Sequence, residues 1–261
     1  MKHSTRLVNI LIGSLLPIIL VVLWQSLSSA GVFPPNIMPS PLVVVETITG
    51  FVQDGSLWEH IGITLYRICT GFLLGTAIAV LIGALVGFYP LAQKLFDPIL
   101  QAFRSIPSMA WVPLFILWMG ISETPKIALI AVGVFFPTYL NLVSGIKNVD
   151  RKLIEVGKIY GFTHTQLITR IIMPASLPSF LTGLRGGLGV GWMFVVAAEL
   201  MGASQGLGYL LVFGQNTTSP EVILASIVLF AILGKITDTL LAVMETRALH
   251  WQDSFAKQAK A

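Results

Sequence analysis

"TLYRICTGFLLGTAIAVLIGALVGF", residues 64–88, carries a single charge, Arg67, and no further Asp, Glu, Lys or Arg follows until Lys94. A bilayer core is crossed by roughly 20 apolar residues in an α-helix. A lone strand would leave its backbone groups unpaired in hydrocarbon, whereas a helix satisfies them internally. The stretch therefore reads as a membrane-spanning helix. Long charge-free intervals also separate Arg6 from Glu46 and Lys126 from Lys147. Of the 261 residues, 55% are hydrophobic and 11% charged, with a mean hydropathy of +0.84. A soluble domain carries about 25% charged residues. The fold class that follows is an all-α membrane protein, one domain over residues 1–261.

Apolar periodicity places about six spans, near 7–27, 64–88, 105–121, 127–146, 184–203 and 222–244. The third is expected to be irregular, because Pro107 and Pro113 remove backbone donors near its start. With a cytoplasmic N-terminus, the inner side receives Lys2, Arg6, Lys94, Arg104, Lys147, Arg151, Lys152, Lys158, Arg170, Arg185, Arg247, Lys257 and Lys260. The outer side receives Lys126 and Arg67. That bias is the positive-inside pattern, with both termini cytoplasmic. The first apolar run is longer than a signal-peptide core, so it is expected to stay as an anchor despite "SSAG" at 28–31. "GVFPPNIMPSP" should run extended on the outside. The helix that follows from Pro41 is too short to cross and reads as a lid on the outer surface.

Small residues recur every fourth position at Gly71, Gly75, Ala79, Gly83 and Gly87, and again at Gly183, Gly187 and Gly191. Such ridges let helix backbones approach closely, and packing inside one subunit is the expected use. Cys69 is the single cysteine, and His3, His60, His164 and His250 lie outside or at the edges of the apolar runs. No haem pair and no His-activated nucleophile is therefore placed within the spans. "GGLGVG" follows no strand, and "LGKIT" lacks the full G-x-x-x-x-G-K-[ST] pattern, so the chain is expected to bind no ATP itself. No catalytic, cofactor or metal-binding residue is assigned.

Between the fourth and fifth spans lies "LIEVGKIYGFTHTQLITRIIMP", residues 153–174. Asp150 is placed to cap a helix from Arg151, with Glu155 in its early turns. Leu153, Val156, Ile159 and Tyr160 form an apolar stripe. Gly161 suits the left-handed position that ends a helix. Thr163 and Gln166 have capping-box spacing, so a second helix should start at His164. Its apolar face is Leu167, Ile168, Ile171 and Ile172, and Pro174 is expected to block further regular hydrogen bonding. Two capped helices at a glycine corner, facing the cytoplasm, have a shape suited to docking into a groove on another protein.

This elbow resembles the cytoplasmic loop of ABC-importer permeases, whose pattern is Glu-Ala-Ala, three residues, Gly, nine residues, Ile, any residue, Leu-Pro. Glu155, Gly161, Ile171 and Pro174 keep that spacing, while Val156, Gly157 and Met173 depart from its letters. "MPSP", "FRSIPSMAWVPLFILWMGI", "IKNVDRKLIEVGKIYG", "MPASLPSFLTGLRGGLGVGWMFVVAAE" and "GLGYLL" extend the likeness over nearly the whole chain, toward permeases for nitrate, aliphatic sulfonates and taurine. The resemblance implies a type I ABC-importer permease fold in the bacterial inner membrane, with residues 150–174 as a coupling loop. It implies a homodimer, two cytoplasmic ATPase subunits that hold the ATP and Mg, and an external substrate-binding protein. Nucleic acid has no part in it. The coupling residues it implies are Glu155, Gly161, Phe162, Thr163, His164, Gln166, Leu167 and Pro174.

Trp111, Trp118, Asn141, Ser144, Met193 and Glu199 are candidates to line the pathway. An ion-coupled secondary transporter is the alternative. It needs ionisable groups near mid-membrane, and only Glu199, Lys235 and Asp238 qualify. Lys235 and Asp238, three apart on one helix, are expected to pair. A membrane-embedded enzyme lacks the side chains for chemistry within the spans. The cargo the resemblance implies is a small anion such as a sulfonate, taurine or nitrate, with bicarbonate or a vitamin precursor left open.

Overall fold

The computed structural model describes residues 2–251, which form helices and turns without a strand. In chain order the helices are α1 (Lys2–Ser29), α2 (Pro41–Gln53), α3 (Ser56–Phe88), α4 (Pro90–Ser105), α5 (Val112–Met119) and α6 (Glu123–Lys147). They continue with α7 (Arg151–Ile159), α8 (His164–Leu167), α9 (Met173–Leu200), α10 (Leu207–Asn216) and α11 (Pro220–Ala248). Four stretches among the described residues are long and apolar enough to cross a membrane: α3, α6, α8 through α9, and α11. The expected basic residues Lys257 and Lys260 lie outside the described residues.

The chain divides into two compact units, Met1–Ile63 with Ala203–Ala231, and Thr64–Gly202 with Ile232–Ala261. In the first, Ser40 caps α2, and the Leu42 N–H donates to Gln25 on α1 at 3.3 Å. α2 has 13 residues, about 20 Å of helix, which is too short to span. α10 and the start of α11 form a hairpin. Its turn brings the Ser219 N–H to the Gly214 carbonyl at 2.8 Å. A Cβ on Gly214 would come within 2.8 Å of Ile223. The His60 ring stacks on Tyr209 at 5.7 Å and accepts from the Gly206 N–H at 3.1 Å.

The second unit is organised around α6, whose buried side chains run from Pro125 to Ile146. Both glycine ridges face it. Cβ atoms on Gly71, Gly83 and Gly87 of α3 would lie 2.6–2.9 Å from Ile130, Leu142 and Ile146, and one on Gly75 would strike the Ala131 carbonyl. On α9, Gly183 meets Asn141, Gly187 meets Thr138, and Gly191 meets Val134. The ridges thus pack helices within one subunit, as read from the sequence. Asp97 on α4 accepts from the Tyr139 hydroxyl on α6 at 2.9 Å.

Some expectations about the helices need correction. The segment expected as the third span is no single helix. Its regular part is α5, with 8 residues, preceded by a tight turn at Ser108–Trp111. The cause is local: Ile106 is extended before Pro107, Pro113 falls in the first turn of α5, and Gly120 ends α5 at φ 75°. Helices α4 and α10 have no counterpart in the sequence reading. Pro174 does not end the elbow's second helix either. Ile168–Ile172 forms one π turn, in which the Met173 N–H reaches the Ile168 carbonyl. Pro174 then follows directly on the wider π turn, in the first turn of α9.

Candidate functional site

The elbow is α7, a glycine corner and α8. Asp150 accepts from the Lys152 N–H at 2.9 Å. At the corner, Gly161 has φ 75°, the Phe162 N–H reaches the Gly157 carbonyl, and the Gly161 N–H reaches the Lys158 carbonyl. This crossed pair of bonds is a Schellman motif, which favours glycine at its left-handed position. The capping box is complete: Thr163 accepts from the Gln166 N–H at 3.3 Å, and Gln166 accepts from the Thr163 N–H at 2.9 Å.

Gly157 supplies the hollow that closes the corner. A Cβ there would sit 2.6 Å from both Leu167 and Ile171. Leu167 is consequently buried and does not point outward with His164, which is exposed. Phe162 is half-buried beneath the Arg170 guanidinium, 5.6 Å from its ring centre. Glu155 pairs with Arg151 at 3.2 Å on the exposed side, a contact worth about 0–1 kcal/mol. Leu153 and Val156 are 48% exposed, Tyr160 78% and Ile159 83%. The corner therefore presents an apolar stripe outward. α8 leads through the π turn into α9, so the corner continues directly into a stretch long and apolar enough to span.

Near the start of α6 sits a buried ion network. Arg67 donates from Nε and Nη2 to the two Glu123 oxygens at 2.6 and 2.7 Å, and from Nη1 to Glu199 at 2.8 Å. Thr64 donates to Glu199 at 2.8 Å, and Lys126 to Glu123 at 2.9 Å. Arg67 and Glu199 are each 1% exposed. The network ties α3, α6 and α9 together. Glu199 is thus a tie between helices, with its carboxylate turned away from any open surface. A second tie corrects the expected Lys235–Asp238 pair. Arg185 on α9 takes Asp238 at 3.0 Å and Glu245 at 3.1 Å on α11, and Trp192 donates to Thr237 at 2.9 Å.

The remaining pathway candidates separate. Trp111 lines a groove of about 380 Å³ between the α4–α5 connection, α6 and α9, and Ser144 lines an adjoining one of about 260 Å³. Asn141 is half-buried and bonds its own helix at the Pro137 carbonyl. Trp118 and Met193 are exposed. Arg104 borders both grooves. From its sequence context alone, Arg104 is only an inward charge. Its position at the end of an amphipathic segment, just before Pro107, was the available signal. Among the described residues no group of three or more His, Cys, Asp or Glu is placed to hold a metal ion.

Residues 72–250 match the family model for the binding-protein-dependent transport system inner membrane component. A Bacillus subtilis protein designated a permease for aliphatic sulfonates transport, SsuC, is 40% identical over 243 residues, covering 93% of this chain and 88% of its own length. The taurine transport system permease protein TauC of Escherichia coli is 33% identical over 252 residues, covering 95% and 91%. Among solved structures, an amino acid ABC transporter with histidines gives a TM-score of 0.63 at 16% identity, over 79% of this chain and 97% of that one. An inward-facing MetNI methionine ABC transporter gives 0.60 at 21%, over 76% and 96%. The expected importer-permease fold is the one found, and the secondary-transporter alternative falls away. This chain belongs to the binding-protein-dependent transport system inner membrane component family and is a permease subunit of an ABC importer.

Proposed function

We propose that this permease admits a small sulfonate-class anion, an alkylsulfonate or taurine, across the bacterial inner membrane, with nitrate as the nearest inorganic counterpart. Two copies form the pathway, an external binding protein delivers the anion, and two cytoplasmic partner subunits bind and hydrolyse ATP with Mg. The chain itself binds no nucleotide. Its N-terminus, elbow and C-terminus lie in the cytoplasm. The whole of residues 1–261 acts as one permease domain, with 150–174 as its coupling loop.

The observation that carries this reading is the elbow. A glycine corner held by two caps exposes Val156, Ile159 and Tyr160 and continues into α9. A connecting loop has no need of that surface, whereas a groove on a partner does. Glu155 and His164 rim the surface, Phe162 and Leu167 build it from within, and Gly161, Thr163, Gln166 and Pro174 fix its direction. Closure of the ATPase pair pulls the corner, and α9 moves with it between inward-open and outward-open states. The sulfonate assignment rests on the relatives named for aliphatic sulfonates and taurine.

The test is uptake of labelled taurine and butanesulfonate by proteoliposomes holding this chain, the partner ATPase and the binding protein. Replacing the phosphate-loop lysine of the ATPase should abolish uptake. Uptake that persists with the inactive ATPase and follows an ion gradient would overturn the reading.

A further inference from the structure

The groove beside Arg104 carries a more specific inference, which rests on reading the chain as an anion permease. Its walls come from α6 and α9, through Phe136, Leu140, Val190 and Phe194, and Trp111 also lines it. These side chains are apolar or aromatic. Arg104 is the groove's one ionised side chain among the described residues, and it is exposed. No ion pair or side-chain hydrogen bond joins Arg104 to another described residue, in contrast to Arg67 and Arg185, which are both held by carboxylates. The volume, about 380 Å³, falls within the range of roughly 300–1,000 Å³ of small-molecule sites.

A guanidinium presents paired N–H donors that match the oxygens of a carboxylate, phosphate or sulfonate. The apolar walls match a short hydrocarbon tail. We infer that this groove is a substrate subsite in the permease itself, in which Arg104 binds the anionic head of an amphipathic anion and Trp111, Phe136 and Phe194 hold its tail. The adjoining groove, of about 260 Å³, shares Arg104 and is lined also by Lys147, the last residue of α6. Asp97 also lines that second groove, with its carboxylate accepting from Tyr139. The head therefore binds at Arg104 from the first groove, which Asp97 does not line, and the second groove offers it a further cation at Lys147. Selection in this account has a second stage after the external binding protein: the membrane subunit itself favours anions that carry an apolar tail.

The experiment uses the reconstituted complex of permease, ATPase and binding protein, with methanesulfonate, butanesulfonate, octanesulfonate and nitrate as cargo. Arg104→Gln should lower uptake of the transported anion by at least about tenfold, the size of a lost charged hydrogen bond. Arg104→Lys should retain most of it. Stimulation of ATP hydrolysis by the loaded binding protein should persist in both, because the elbow is untouched. Val190→Phe fills the groove and should reject octanesulfonate while still passing methanesulfonate, a readout that general destabilisation would not produce. Equal uptake by Arg104→Gln and the unaltered chain would overturn the subsite and leave the anion reading standing. Should the unaltered complex take up none of these anions, the anion reading falls and the subsite with it. A disulfide between two copies at Leu140→Cys, with uptake unchanged in Arg104→Gln, would assign the groove to a second copy of the chain.

Discussion

Replacing Gly161 by asparagine, alanine or valine changes the backbone cost of the elbow's corner and little else. The residue has φ 75°, and no atom lies within 4 Å of the position a Cβ would take. Steric collision with neighbours is therefore absent, and the whole effect comes from the left-handed backbone. That conformation costs a residue with a Cβ about 1–2 kcal/mol, less for asparagine and more for a β-branched side chain. The corner is held by comparable terms. The Thr163 cap contributes about 1 kcal/mol, and each Schellman hydrogen bond contributes about 0.5–1.5 kcal/mol. Alanine should leave the corner mostly formed, whereas valine should tip it open and lengthen α7 past Tyr160. The assay is uptake together with binding-protein-stimulated ATP hydrolysis in proteoliposomes. Activity should fall in the order Gly, Asn, Ala, Val, with membrane insertion intact throughout. Valine equal to glycine would refute the reasoning, because the corner's geometry would then be irrelevant to coupling.

Further predictions test the packing and the orientation. Glu199→Ala leaves the buried Arg67 without one of its carboxylates and should cost about 3–5 kcal/mol, read as a lower detergent unfolding midpoint; an unchanged midpoint would contradict the network. Two glycines on α9 should behave oppositely. Gly187→Ala places its Cβ 2.7 Å from Thr138 and 3.1 Å from the Val134 carbonyl and should destabilise by about 1–3 kcal/mol. Gly189→Ala meets nothing within 4 Å and should be neutral or gain up to about 1 kcal/mol of helix propensity. Equal effects at the two positions would argue against close approach of α6 and α9. In a Cys69→Ser background, an impermeant maleimide added to intact cells should label a cysteine at Ser40 and spare one at Thr163. Labelling at Thr163 would reverse the orientation.

What the sequence revealed follows the range of each interaction. The elbow was legible because its determinants are local: Asp150 caps a donor two residues on, Thr163 and Gln166 answer each other across three, and Gly161 acts on its own backbone. The glycine ridges announced close helix approach but not that one helix, α6, receives both. The Arg67–Glu199 tie spans 132 residues, and nothing in either neighbourhood points to the other. Asp238 illustrates the same limit, since a plausible partner three residues away loses to Arg185 on another helix. Pro174 was read by its usual effect on a helix interior, and the π turn that moves it into a first turn has no simple sequence signature. Helix α4, which carries Lys94, Asp97 and Arg104, lies outside the apolar runs from which the spans are read. It carries the cation around which the groove is built.

In the proposed coupling, the elbow's exposed apolar stripe sits in a groove of the partner ATPase. A photoreactive phenylalanine analogue can be placed at Ile159, 83% exposed, or at Leu167, 7% exposed, in the assembled importer within native membranes. Irradiation should join the Ile159 variant to the ATPase subunit and leave the Leu167 variant attached within its own chain. Absence of any ATPase adduct from Ile159, in a complex that still takes up its substrate, would contradict the account.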